Sequence, residues 1–324
     1  MVAPTPPPPP VTGPASGPVA GHMTLVVQRA HGHPRFVLTG ESVVVRGIVL
    51  PYVAHQKVAV RFQRNGRKVL SRTVTVTPVG NGAGQFHISY SSSATGVVKA
   101  FAAHASSPEQ SAFTASTGAV RIVSASMNEG ASGPAVKLLQ EQLSALHFAV
   151  PVDGNYGEAT GRAVLAYRKL TGLERITSTN ASMFHLLQHG GGQFHVRYRS
   201  DGRHVEADLT RQVLAEIDPG GKVRRIYTMS SGKPSTPTVT GRFRVYSKTP
   251  GTNAKGMVDA NYFIRGYAIH GYAEVPTFAA SHGCLRVPIP DAAAIYAWVQ
   301  LGTPVDVYVE SGGGSHSVRG NAGP

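Results

Sequence analysis

Ile269-His270-Gly271 is followed ten residues later by Ser281-His282-Gly283-Cys284-Leu285-Arg286, and these two stretches decide how the C-terminal part of the chain is read. Cys284 is the only cysteine among 324 residues, so it has no partner for an internal disulfide. It stands two residues after His282 and fourteen after His270. A thiol becomes a nucleophile as thiolate, and a nearby imidazole is the usual means of making it one. Gly283 leaves space beside the sulfur, where a carbonyl can approach and backbone N–H groups can face it. Two other roles compete. An unpaired cysteine also serves as a small hydrophobe inside a core, and two histidines with a thiolate are zinc ligands. His282 and Cys284 are only two residues apart, and no fourth ligand stands at a usual spacing, which weighs against zinc. The grouping of two histidines and two glycines around one thiol favours the nucleophile.

The frame around this site is β-rich from His204 onward. Glu206-Ala207-Asp208-Leu209 and Gln212 to Ile217 read as the arms of a hairpin, Pro219-Gly220-Gly221 as a second turn, and Val223 to Met229 as the next strand. Pro290 to Gln300 reads as a short helix with Ala294, Ile295 and Trp298 against the sheet. Ser230-Ser231-Gly232, Thr236-Pro237-Thr238, Gly241-Arg242-Phe243, Tyr262, the two motifs and Val305-Asp306-Val307-Tyr308 then follow in order. Over residues 204–309 this resembles the L,D-transpeptidase catalytic domain, the YkuD family of bacterial cell-wall enzymes.

That resemblance implies a mostly β domain with the cysteine at the mouth of a groove, and a two-step covalent reaction. Cys284 attacks the carbonyl of the diamino acid in a peptidoglycan tetrapeptide stem, releasing D-alanine and leaving a thioester. An amine from a second stem then gives a 3→3 cross-link. His270 takes the place of the family's general base, oriented by the carbonyl of Gly271. His282 sits against the same sulfur, and the N–H groups of Gly283 and Cys284 receive the oxyanion. Arg286 stands where some members carry asparagine and meets a stem-peptide carboxylate. Ser281, Tyr262 and Tyr272 complete the substrate side, Ser281 in a structural capacity. Neither cofactor nor metal is implied, and carbapenems are expected as covalent inhibitors. Two alternatives stay open: an L,D-carboxypeptidase using the same acyl-enzyme, and a non-catalytic wall-binding structural protein.

Residues 127–190 are helical. Ser132-Gly133-Pro134 opens a run with apolar Val136, Leu139, Leu143 and Leu146 three or four apart. A tight loop from Asp153 enters a second helix with Ala163, Val164, Tyr167 and Leu170 on its apolar face, ended by Gly172. "Val-Lys-x-Leu-Gln" from Val136, "Asp-Gly-x-Tyr-Gly-x-x-Thr" from Asp153, and a closing helix at Phe184 to Leu187 resemble the peptidoglycan-binding domain type 1. Tyr167-Arg168 stand where that family usually shows Phe-Gln, a departure that bears on ligand affinity. A three-helix spacer without ligand is the other reading.

Residues 23–124 carry short β-branched segments, Val43-Val44-Val45, Val58 to Phe62 and Thr73 to Val76 among them, divided by Asn65-Gly66 and the glycines from Gly80 to Gly84. About seven strands over this length suggest an immunoglobulin-like β-sandwich acting as a spacer or adhesive module. His31 and His33, flanked by Gly32 and Pro34, read as loop residues. By composition residues 1–22 are expected to be a Pro-rich disordered linker, 191–203 a second linker, and 310–324 a glycine-rich disordered tail. The fold class expected is therefore multidomain and mainly β: sandwich, three-helix domain, then a β-rich YkuD-like catalytic domain.

Composition sets the surroundings. Charged residues make up 15% of the chain, yet the net charge is +14 and the pI near 10.1, which favours a polyanionic neighbour. No nucleic-acid recognition motif or dense Lys/Arg run is present, whereas the anionic polymers of a bacterial wall, its glycan and its stem peptides agree with the catalytic motif. No run of eighteen apolar residues occurs, and Met1 to Ala20 lacks the apolar core of a signal peptide. An extracytoplasmic place, in the wall or periplasm, is expected all the same.

Overall fold

Alternation of apolar and polar side chains builds the N-terminal part of this computed structural model, which describes residues 17–30, 32 and 34–310. The prolines from Pro6 to Pro10, His31, His33 and the tail beyond Glu310 lie outside the described residues. The chain divides into two units, Met1–Val123 and Ser124–Pro324.

In the first unit, β1 (His22–Gln28), β2 (Phe36–Leu38), β3 (Ser42–Leu50), β4 (Lys57–Arg64), β5 (Arg67–Thr75), β6 (Thr77–Gly80), β7 (Ala83–Ser91), β8 (Gly96–His104), β9 (Phe113–Ser116) and β10 (Val120–Val123) make two sheets. Their orders are β1-β3-β7-β6 and β2-β10-β8-β4-β5, with β9 on β8. Val43, Val45 and Val49 of β3 and Val58, Val60 and Phe62 of β4 meet in one core between the sheets, as period-2 burial requires. Among the described residues ten strands stand where the sequence suggests about seven. Four of them, β2, β6, β9 and β10, have three or four residues each and carry too little alternation to read. The first strand begins at His22, inside the stretch read as a linker.

The second unit opens with three helices, α1 (Pro134–Ala145), α2 (Glu158–Leu170) and α3 (Ala181–Gln188). Buried Gln140 of α1 explains the Asp-Gly-x-Tyr-Gly motif. Its Nε2, with two hydrogens to share, lies 2.9 Å from each of Asp153 Oδ1, Asn155 O and Thr160 Oγ1, and its Oε1 accepts from Asp153 N and Gly154 N. One amide therefore fixes the whole entrance to α2. Tyr167 and Arg168, the departure noted above, are both buried. Tyr167 Oη donates to Gly191 O, and Arg168 reaches Glu174 O and Asn180 Oδ1. They hold the module together from inside.

The remainder comprises β11 (His204–Asp208), β12 (Val213–Asp218), β13 (Lys222–Thr228), β14 (Gly241–Arg244), β15 (Ser247–Thr252), β16 (Val258–Ile264), β17 (Tyr267–Tyr272), β18 (Leu285–Pro288), α4 (Ile289–Trp298) and β19 (Pro304–Tyr308). Two sheets, β13-β12-β11-β19-β14 and β15-β16-β17-β18, enclose a core in which Val205, Ala207, Leu214 and Val305 meet Ile269, Leu285 and Val287. The face that α4 turns to this core is Ala292, Ile295 and Trp298. Ala294, expected on that face, is exposed, because the three-residue rhythm runs 292, 295, 298 and leaves 294 on the outer side. Helices and sheets form one body here. The chain after α1 bridges the edge strand β13, with Ile226 N donating to His147 O and Ala149 N to Ile226 O. Arg162 of α2 grips Asp291 of α4 through Nε and Nη2 at 3.2 and 3.3 Å.

Candidate active site

Parallel pairing of β17 with β18 sets His270 opposite Arg286 and Ile269 opposite Leu285. The loop between these strands brings Cys284 back to the pocket that His270 lines. A pocket of about 490 Å³ opens there, lined by Asn253, Lys255, Tyr262, Gly266, Tyr267, His270, Tyr272, Ser281, His282, Cys284 and Arg286, among others. Among the described residues no carboxylate lines it, and Lys255 and Arg286 set its electrostatics.

His270 Nδ1 lies 2.9 Å from the carbonyl oxygen of Gly271. A carbonyl only accepts, so Nδ1 carries the proton and Nε2 keeps the lone pair. Burial holds the imidazole below its usual range, the Gly271 bond opposing this and the Arg286 charge adding to it. Burial likewise pushes the Cys284 thiol up, against the pull of the Ala268 N–H, Arg286 and Lys255. The resting pair at neutral pH is thus a neutral imidazole and a thiol. The sulfur sits half-buried, 3.8 Å from Gly266 O, among Met257, Ala260, Tyr262 and Ala268.

A pH dependence follows from these shifts. Alkylation of Cys284 by iodoacetamide, which needs the thiolate, is expected to rise steadily between about pH 6 and 9 without reaching a plateau. A rate constant over that window would show a preformed thiolate–imidazolium pair and would overturn this assignment.

Ser281 is fully buried; its Oγ donates to Cys284 O at 2.6 Å and accepts from Gly283 N at 3.1 Å. The Gly283 amide, expected to face an oxyanion, is therefore already bonded to Ser281. Gly283 has φ +116°, and a Cβ there would meet the Tyr267 ring at 2.4 Å. At Gly271 a Cβ would meet Ala292 Cβ at 2.8 Å, so α4 packs directly on the backbone beside His270. His282 is exposed, and its Nε2 lies 3.3 Å from Lys233 Nζ. An ammonium only donates, so this nitrogen accepts. The contact the structure gives His282 is with Lys233, where the sequence suggested the sulfur. The Arg286 guanidinium lies over the Tyr272 ring at 4.0 Å, and Tyr272 meets the His270 ring edge-on at 5.6 Å. Tyr262 Oη accepts from Asn253 Nδ2 at 3.2 Å.

All nine residues singled out in the sequence meet in this region. Asn253, Lys255, Tyr267 and Lys233 were missed. Asn253 to Gly256 has turn composition, but nothing in the sequence places the β15–β16 hairpin over a motif thirty residues on. Tyr267 is revealed only by the glycine it packs against.

The pocket lies on the β15-β16-β17-β18 sheet and its loops, with one thiol and one buried imidazole in its lining. The sequence matches the L,D-transpeptidase catalytic domain family over residues 202–307 and a peptidoglycan-binding domain family over residues 132–177. An L,D-transpeptidase from Xylanimonas cellulosilytica is 33% identical, the match covering 56% of this chain and 97% of that one with a TM-score of 0.51. An L,D-transpeptidase from Stackebrandtia nassauensis is 20% identical, with 57% and 95% covered and a TM-score of 0.37. L,D-transpeptidase 3 from Mycobacterium tuberculosis, solved with a faropenem-derived adduct, is 20% identical, with 33% and 60% covered and a TM-score of 0.29. No curated protein matches. The chain belongs to the L,D-transpeptidase family and carries a peptidoglycan-binding domain beside its catalytic one. Among the described residues no helix is long and apolar enough to cross a membrane.

Proposed function

We propose that this chain forms 3→3 cross-links in peptidoglycan through a thioester on Cys284. The carrying observation is the tautomer of His270: Nδ1 is committed to Gly271 O, which leaves Nε2 as the basic atom in the pocket that Cys284 lines. In the first step Nε2 takes the thiol proton as sulfur bonds to the carbonyl carbon of the diamino acid. The oxyanion is met by the Cys284 N–H, with the Gly283 N–H shared between it and Ser281. The carbon–nitrogen bond breaks, His270 returns the proton to the departing D-alanine amine, and the acyl group stays on sulfur. A stem amine then attacks the thioester, gives its proton to His270, and releases the thiol. Arg286 and Lys255 give the anionic stem its counter-charges, and the net charge of +14 suits attachment to anionic wall polymers outside the membrane.

The test compares a tetrapeptide donor alone with the same donor plus an amine acceptor. Release of D-alanine together with a cross-linked product is expected. Release without cross-link would assign an L,D-carboxypeptidase. No release from the folded chain would leave a wall-binding structural protein.

A further inference from the structure

Lys169 of α2 is 1% exposed, although it is charged in its ordinary state. Its Nζ donates to Thr228 Oγ1 at 2.7 Å and Met229 O at 2.8 Å, and among the described residues no carboxylate pairs with it. Burying an ammonium without a counter-ion costs stability, which a methionine of similar volume would not. Burial, with the charge of Arg175, lowers its pKa to about 7. Thr228 ends β13, and Met229 follows it directly into Ser230-Ser231-Gly232.

That short segment is the backing of the catalytic loop. Ser230 and Arg286 exchange both backbone hydrogen bonds, at 2.9 and 3.0 Å. Ser231 O accepts from Ala280 N and Ser281 N, Lys233 N donates to Ser281 O, and Ser230 Oγ donates to Phe278 O. Arg175, just beyond α2, makes a direct tie: Nη1 donates to Thr277 O at 2.8 Å and Nη2 to Thr210 O at 3.0 Å. Two basic side chains of the helical stretch thus hold the stretch from Thr277 to Arg286, one through the Ser230 segment and one without intermediary.

We infer that Lys169 and Arg175 are positioning residues for acyl transfer: they set where the amides of Gly283 and Cys284 stand relative to the sulfur. The helical stretch is then part of the catalytic machinery as well as a candidate wall-binding module. This rests on Cys284 being the acylated residue.

The experiment uses the full chain and two reagents. Carbapenem acylation develops an oxyanion and depends on the amides; iodoacetamide alkylation displaces iodide at carbon and develops none. Lys169→Met keeps the apolar stem and removes the donor; Arg175→Ala removes both carbonyl ties at a half-buried site; Arg175→Lys restores one. Acylation of Lys169→Met and Arg175→Ala is expected to slow about tenfold or more, with alkylation within about twofold of the parent and partial recovery in Arg175→Lys. Unchanged acylation overturns the inference. So does a parallel change in both rates, which marks general damage to the fold. A parent chain that alkylates but does not acylate removes the premise itself, and the reading under Proposed function falls with it.

Discussion

Incubation with a carbapenem is expected to add one covalent equivalent to the full chain, located by peptide mass spectrometry on Cys284, and none to Cys284→Ala. The strained lactam carbonyl offers the same electrophile as a stem peptide, and the thiol stands in a pocket lined by Arg286 and Lys255 that can receive the carboxylate. The thiol is raised and the imidazole lowered by burial, so proton transfer must accompany attack, and the base carries much of the rate. His270→Ala is therefore expected to slow acylation about 10²- to 10⁴-fold. Zinc chelators should leave the rate untouched. A mutant lacking His270 that acylates at the parent rate would remove the base from the mechanism, and an adduct elsewhere would remove the nucleophile.

The second large effect is expected from Gly283→Ala. At φ +116° an alanine bears backbone strain of about 1–3 kcal/mol. Its Cβ would also stand 2.4 Å from a carbon of the Tyr267 ring. Both costs fall on the residue between the Ser281 hydroxyl and the reactive sulfur, so the segment must move. Acylation is expected to fall about 10²-fold or more, since displacement of about 1 Å suffices for such a loss. Tyr267→Ala in the same background separates the causes: it relieves the clash and leaves the φ. Recovery of less than half the lost rate constant, on a logarithmic scale, is expected. A Gly283→Ala chain within about threefold of the parent would show that neither constraint matters to the reaction.

Much of the site was legible because its chemistry is written in short-range motifs. The His270-Gly271 pair, Ser281 to Arg286, and the Asp153 loop each place their residues by local backbone geometry, and a few side chains with unique donors suffice. What was not legible comes from contacts across the sheet order. Lys255 reaches the pocket from the β15–β16 turn, Tyr267 from the start of β17, and Lys233 meets His282 from the loop before β14; no periodicity announces them. Lys169 reads as an ordinary helix surface residue from its neighbours, Arg168 included, until β13 is found lying against it. The error at Ala294 has a different origin: in an apolar run with three consecutive alanines, the helical face is fixed by the large residues Ile295 and Trp298 alone. In the N-terminal unit the long strands were readable from alternation, whereas β2, β6, β9 and β10 are too short to show it and are placed by pairing with their neighbours and, for β2 and β10, by burial in the core.

The bridge from His147–Ala149 to Ile226 bears on whether the module can be exchanged. A wall-binding cassette joined only by a linker could be exchanged between enzymes without damage to either part. Here the cassette would take with it the cover of β13. A chain cut back to residue 191 would leave that outer strand with open amides and carbonyls, a template for sticking to the next molecule. It would also leave Asp291 without Arg162 and Thr228 without Lys169. The two parts are therefore built as one piece, and exchanging the module would require rebuilding the flank of the enzyme.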